Sequence, residues 1–82
     1  MTYEEFEKKI NKLELKFCVS DDLICVQDEN RNALYSVDTT KPYVVYYTLK
    51  FLNLDDTMQE KIFKLVYLLA RTSIKNRGEL HK

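Results

Sequence analysis

In 82 residues the chain has one glycine, one proline, one histidine, two cysteines and no tryptophan. So little glycine and proline argues against a loop-rich fold or a repeat array, which need frequent turns. One glycine cannot build a Gly-rich phosphate loop, and one histidine cannot supply H-E-x-x-H. That histidine, His81, stands one residue from the end, where nothing orients a general base. Cys18 and Cys25 are too far apart in sequence for a C-x-x-C pair. No catalytic constellation remains, and the expectation is a protein that is not an enzyme.

Net charge is also lacking, at 13 basic against 13 acidic residues. A nucleic-acid binder usually carries a basic excess, so direct nucleic-acid binding is not expected. A protein imitating DNA would need the opposite excess. The balance is uneven along the chain. Residues 1–41 hold six Lys/Arg and nine Asp/Glu, and residues 42–82 hold seven and four. The basic end includes Arg71, Lys75, Arg77 and Lys82, a pattern that compensates a helix C-terminal dipole. Long apolar runs are missing as well. The longest, Leu65 to Ala70, is too short to span a bilayer. The acidic, charged start TYEEFEKK does not read as a signal peptide. The expectation is one soluble α+β domain over residues 1–82, intracellular, with its thiols reduced or holding a metal.

What is present is a strong helical period over residues 55–76, DDTMQEKIFKLVYLLARTSIKN. Met58, Ile62, Leu65, Val66 and Leu69 make its apolar stripe, widened by Phe63, Tyr67, Ala70 and Ile74. Asp55 or Thr57 caps its start. Thr72-Ser73 is an expected break, because both side chains can bond the local backbone. Gly78 is the expected stop.

Upstream, Thr2 and Glu5 form a T-x-x-E capping box for a helix over residues 3–12. From Leu13 to Ser20 the period falls to two, which predicts a half-buried strand, and Leu23 to Asp28 predicts a second. Only Asp21-Asp22 lies between them, and a two-residue hairpin loop fixes the register. Val19 then faces Ile24, Phe17 faces Val26, and Cys18 faces Cys25 on the opposite side of the sheet. A third strand, Ala33 to Asp38, pairs Val26 with Tyr35 and leaves a four-residue loop, Glu29 to Asn32. Thr39 to Pro42 breaks the sheet. Residues 43–52, YVVYYTLKFL, carry both extended and helical signals, and 43–48 read as an edge strand or covering segment. The predicted architecture is a three-stranded antiparallel sheet with an N-terminal helix and a long C-terminal helix on one face.

Two groups of residues are candidates for function. Opposed thiols at Cys18 and Cys25 would give zinc two of the four ligands it takes. The others would come from Glu14, Asp38, His81 or the same pair on a second chain. Two free, reduced thiols are the alternative, or a cross-strand disulfide, which the cytosol disfavours. Tyr43, Tyr46 and Tyr47 cluster in a chain with six tyrosines. Tyrosine joins apolar area to a polar tip and is enriched at interfaces, so these are candidate partner-binding residues.

Asp28-Glu29-Asn30-Arg31-Asn32, Thr39-Thr40-Lys41-Pro42-Tyr43 and LDDTMQEKIFKLVYLLARTSIKNRGE (residues 54–79) resemble small proteins encoded by phages and prophages of Gram-positive bacteria. Arg31 stands where those have Gly in the turn, and Ser73 where they have Pro. The resemblance implies the order α-β-β-β-α and carries no catalytic residues over. Some small phage proteins of similar layout inhibit host defence, including anti-CRISPR proteins that bind Cas9. The expectation from the resemblance is therefore a stoichiometric inhibitor of a host defence protein such as Cas9, in the cytoplasm of a bacterial host. The alternatives are a phage accessory or structural protein that self-assembles, as a homodimer for instance, and a small zinc-binding interaction module.

Overall fold

The computed structural model describes residues 1–80. Helix α1 spans Tyr3–Lys12. Its capping box is fully formed: Thr2 Oγ1 accepts from Glu5 N (3.1 Å), and Thr2 N donates to Glu5 Oε1 (3.0 Å). Such a cap contributes about 1 kcal/mol. Glu14 follows the helix with φ 63°. Its N–H donates to Asn11 O, and that of Leu15 to Ile10 O. This closes the helix in the left-handed manner usually assigned to glycine.

Strands β1 (Lys16–Ser20), β2 (Leu23–Gln27) and β3 (Ala33–Asp38) form an antiparallel meander. The hairpin register is the expected one, with Phe17 opposite Val26, Cys18 opposite Cys25 and Val19 opposite Ile24. Between β2 and β3 the pairs Ile24–Val37, Cys25–Ser36 and Val26–Tyr35 also hold. The ladder then slips, and Gln27 pairs with Ala33. Leu34 is the extra residue of this bulge, and it lets two sequence neighbours, Leu34 and Tyr35, both be buried.

The sheet has four strands, not the three expected. Strand β4 (Val45–Tyr47) pairs with β3 through Tyr35–Tyr47, Ser36–Tyr46 and Val37–Val45. The reason is the turn at Pro42-Tyr43, which returns the chain antiparallel to β3 and places β-branched and aromatic residues against it. A second unexpected element follows. Thr48 caps a short helix, α2 (Leu49–Leu52). The mixed signals of residues 43–52 were both real, one after the other.

Helix α3 spans Asp56–Ala70, with Asp55 as its cap (Asp55 Oδ1 accepts from Met58 N, 2.7 Å). The helix stops before Thr72-Ser73, where Thr72 Oγ1 donates back to Leu68 O (2.7 Å). A single 3₁₀ turn, Ile74–Asn76, follows, and Gly78 takes φ 85°. The core lies between one face of the sheet and the helices. It comprises Ile24, Val26, Leu34, Tyr35 and Val37 from the sheet, Tyr3, Phe6 and Ile10 from α1, Phe51 from α2, and Ile62, Val66, Leu69 and Ala70 from α3. No helix among the described residues is long and apolar enough to cross a membrane.

Candidate interaction surface at the β4 edge

The segment leading into β4 is held tightly although it has little regular structure. The Asp38 carboxylate accepts from Thr40 Oγ1 (2.7 Å), Thr40 N (2.7 Å) and Lys41 N (3.0 Å). The Thr40 hydroxyl and then the Thr40 amide hold that carboxyl below the usual aspartate range. Tyr43 follows Pro42 with φ 66°, and its N–H donates to Ala70 O (2.9 Å) at the end of α3. A bulky aromatic in left-handed backbone is a strained conformation.

Arg77 braces this junction from inside. It is fully buried, at 0% exposure. Nε donates to Thr72 O (3.0 Å), one terminal nitrogen to Asp38 O (2.7 Å) and the other to Ala70 O (3.0 Å). One guanidinium thus satisfies orphan carbonyls at the ends of both α3 and β3. The bonds to Ala70 O and Thr72 O place its charge at the C-terminal end of α3, as the dipole pattern predicts, but from a buried position, and Arg77 is not available to a ligand. Arg71 does remain outside, over the Tyr67 ring at 5.8 Å.

All three candidate tyrosines are exposed: Tyr43 68%, Tyr46 53% and Tyr47 59%. They do not share one face. Tyr47 lies on the inner side of β4, in aromatic contact with Tyr35 (6.0 Å) and Phe51 (6.2 Å). Tyr46 lies on the outer side, opposite Ser36. Tyr43 stands at the turn. Burial first, and the neighbouring Tyr47 second, raise the Tyr35 hydroxyl above its ordinary pKa.

The sequence reading missed two further aromatics of this surface. Phe63 and Tyr67 were assigned to the core stripe of α3. They are 53% and 49% exposed and stack on each other at 6.3 Å. Their place on the β4 side of α3 follows from two ties: Gln59 Nε2 donates to Leu52 O and Leu54 O, and Ala70 O receives Tyr43 N. Phe51 and Phe63 line one recess of about 320 Å³ with Asp56, Gln59 and Glu60. Tyr47, beside the buried Phe51, and the row Phe63, Tyr67 and Arg71 make up an aromatic strip on either side of this recess. Its sequence signal was the i, i+4, i+8 spacing of Phe63, Tyr67 and Arg71, on the flank of the stripe and not at its centre.

Cys18 and Cys25 lie elsewhere, as direct neighbours on the outer sheet face, in a cross-strand row with Ser36 and Tyr46. Both are free thiols, half-buried, and Ser36 Oγ donates to Cys25 Sγ at 3.6 Å. Among the described residues no group of three or more His, Cys, Asp or Glu side chains gathers around a metal position. Asp38 is engaged in its own turn, and His81 lies outside the described residues. Among the described residues, none joins these two thiols to complete a zinc site.

A basic groove was also not anticipated. Lys9 and Lys12 of α1 face Lys61 and Lys64 of α3 across a floor of Leu13 and Leu65, around about 340 Å³. Lys64 is paired with Glu60 (3.1 Å). The two lysine pairs come from opposite halves of the chain, so the charge count by halves concealed them.

Comparison with protein-family models, with curated proteins and with solved structures gave no match.

Proposed function

We propose that this chain works by stoichiometric protein binding, with the aromatic strip at the β4 edge as its working surface. The observation that carries the reading is the exposure of Tyr47, Phe63 and Tyr67, three large aromatics on the helix-covered side of the sheet, with Tyr43 at the turn beside them. Exposed aromatic surface is what protein interfaces use, and Arg beside Tyr is a frequent pairing there. The strained, firmly tied backbone at Tyr43 supports it, because such strain persists where the surrounding structure over-determines it. The partner class comes from the resemblance to small phage proteins. We assign the chain as a phage-encoded inhibitor of host defence in the bacterial cytoplasm, with Cas9 as its target and no catalysis of its own. Zero net charge favours docking on a protein domain over occupying a DNA groove.

The test is target-DNA cleavage by guide-loaded Cas9 in the presence of equimolar protein. Cleavage should be lost with the wild type and restored with the double variant Phe63→Ala, Tyr67→Ala. Undiminished cleavage at large excess, with no complex on gel filtration, would sink the assignment. Self-assembly is a second reading, favoured by the uncharged open edge at β4. Zinc would enter either reading through Cys18 and Cys25, for instance as a link between two copies. Metal analysis of wild type against Cys18→Ser decides that, and equal, negligible zinc in both removes it.

A further inference from the structure

The two edges of the sheet differ in how they are protected. Edge strands are commonly guarded by charge, proline or a covering element. β1 is entered through Glu14 and Lys16, whereas residues 44–48, Val-Val-Tyr-Tyr-Thr, contain neither a charge nor a proline. The direction of the free backbone groups at β4 follows from two hydrogen bonds. Val44 O accepts from Asp38 N (3.0 Å), and Thr48 N donates to Leu34 O (3.1 Å). In an antiparallel ladder, residues bonded to one neighbour alternate with residues whose groups point the other way. Residues 44, 46 and 48 therefore face β3, and the N–H and C=O of Val45 and Tyr47 face outward. Among the described residues, no tertiary or turn hydrogen bond reaches those four groups.

We infer that β4 pairs antiparallel with β4 of a second copy about a two-fold axis at Tyr46. The register is fixed by the outward groups. Val45 meets Tyr47 of the second copy and Tyr47 meets its Val45, which makes four N–H···O bonds and an eight-stranded sheet. Tyr46 then faces its own copy as a non-hydrogen-bonded pair, the closest kind of cross-strand contact. Residues 44–48 carry no charge, so no like charges face each other across the paired strands. At half exposure, Tyr46 and Tyr47 offer about 100 Å² each. The resulting aromatic area of roughly 200 Å² per copy is about a quarter of what a standard interface buries per partner. The dimer is therefore reversible and concentration-dependent.

This pairing is not a zinc-bridged dimer. In it the β2 cysteines of the two copies lie five strand spacings apart, about 24 Å, too far for one ion. It stands on the edge geometry and does not depend on the identity of any partner. Because it covers Tyr46 and Tyr47, a partner that uses the strip competes with it.

Sedimentation equilibrium of the full chain, from low micromolar to near-millimolar concentration, tests the inference. The weight-average mass of the wild type should climb from one chain toward two and be unchanged by EDTA. Val45→Pro removes an outward N–H and leaves the β3–β4 bonds intact, so it should stay at one chain. Tyr46→Lys, an exposed change that sets like charges across the axis, should also stay at one chain, and it serves if the proline variant fails to fold. A wild type that remains one chain throughout, variants that pair as well as the wild type, or a dimer abolished by EDTA would each overturn it.

Discussion

Among the described residues, four other than glycine hold positive φ: Glu14 (63°), Asp21 (51°), Arg31 (66°) and Tyr43 (66°). A chain with one glycine must turn corners with side chains present, at a cost of roughly 1–2 kcal/mol for each ordinary residue in left-handed backbone. Asp tolerates that region better than most. Glu14 and Arg31 are exposed and have no such advantage. Glycine relieves the strain but adds freedom to the unfolded chain. Glu14→Gly and Arg31→Gly should therefore each raise unfolding free energy in urea by about 0.5–1 kcal/mol. The two sites lie in separate turns, so the gains should add. Tyr43→Gly should likewise stabilise, yet weaken partner binding, which would separate the strain at that position from its use. Arg77 works in the opposite direction. Lysine in its place cannot span the carbonyls of Asp38, Ala70 and Thr72. Charge-assisted bonds are worth about 1.5–3 kcal/mol each, so Arg77→Lys should cost about 3 kcal/mol, read by the same denaturation.

At the scale of elements, the carboxylates that close their ends share one electrostatic signature. Glu5 at the start of α1 is held below its ordinary pKa by the Thr2 amide and then the Thr2 hydroxyl. Asp28, which shapes the β2–β3 loop, is lowered by the Asn32 amide and then the Asn32 side chain. Asp38 is lowered by Thr40. A carboxyl with a depressed folded-state pKa contributes stability above its unfolded value, and the contribution is lost as pH falls through the folded one. The unfolded values are 4.5 for Glu5 and 3.8 for both aspartates. These three groups should contribute no change in Tm between neutrality and about pH 5, and a fall below about pH 4. A thermal-melt series checks this. The raised pKa of Tyr35 has the reverse sense, and its contribution is lost as pH rises past 10.

Much at this scale was legible in the sequence. Period-two alternation and a two-residue loop determined the β1–β2 register, because a slip of one residue would turn every apolar side chain outward. The Thr2–Glu5 box and the Thr72-Ser73 break were local signals with local causes. The bulge at Leu34 was not legible. Asp28 binds Asn30 N, Asn32 N and Asn32 Nδ2, and counting loop residues does not reveal that bonding. β4 was half legible, because its strand signal was visible while its pairing depended on a turn with tyrosine where glycine is usual.

For the whole molecule, the candidate surface was legible only in part. Tyr43, Tyr46 and Tyr47 were picked out by composition, and all three are exposed, though not on one face. Phe63 and Tyr67 were hidden because an apolar residue near a helical stripe reads as core from sequence, and only the position of β4 and α2 decides otherwise. The lysine groove and the Arg77 brace were hidden for a related reason, since each joins residues distant along the chain. Together these features describe a domain whose helices fill one sheet face and whose aromatic strip lies along its open edge. The role proposed for this strip is docking a protein partner. Calorimetric titration of guide-loaded Cas9 with wild type and with Phe63→Ala, Tyr67→Ala measures that docking. One-to-one binding is expected, weakened at least tenfold in the double variant while its far-ultraviolet spectrum stays unchanged. No heat of binding with the wild type, or equal affinity for the two proteins, would contradict it.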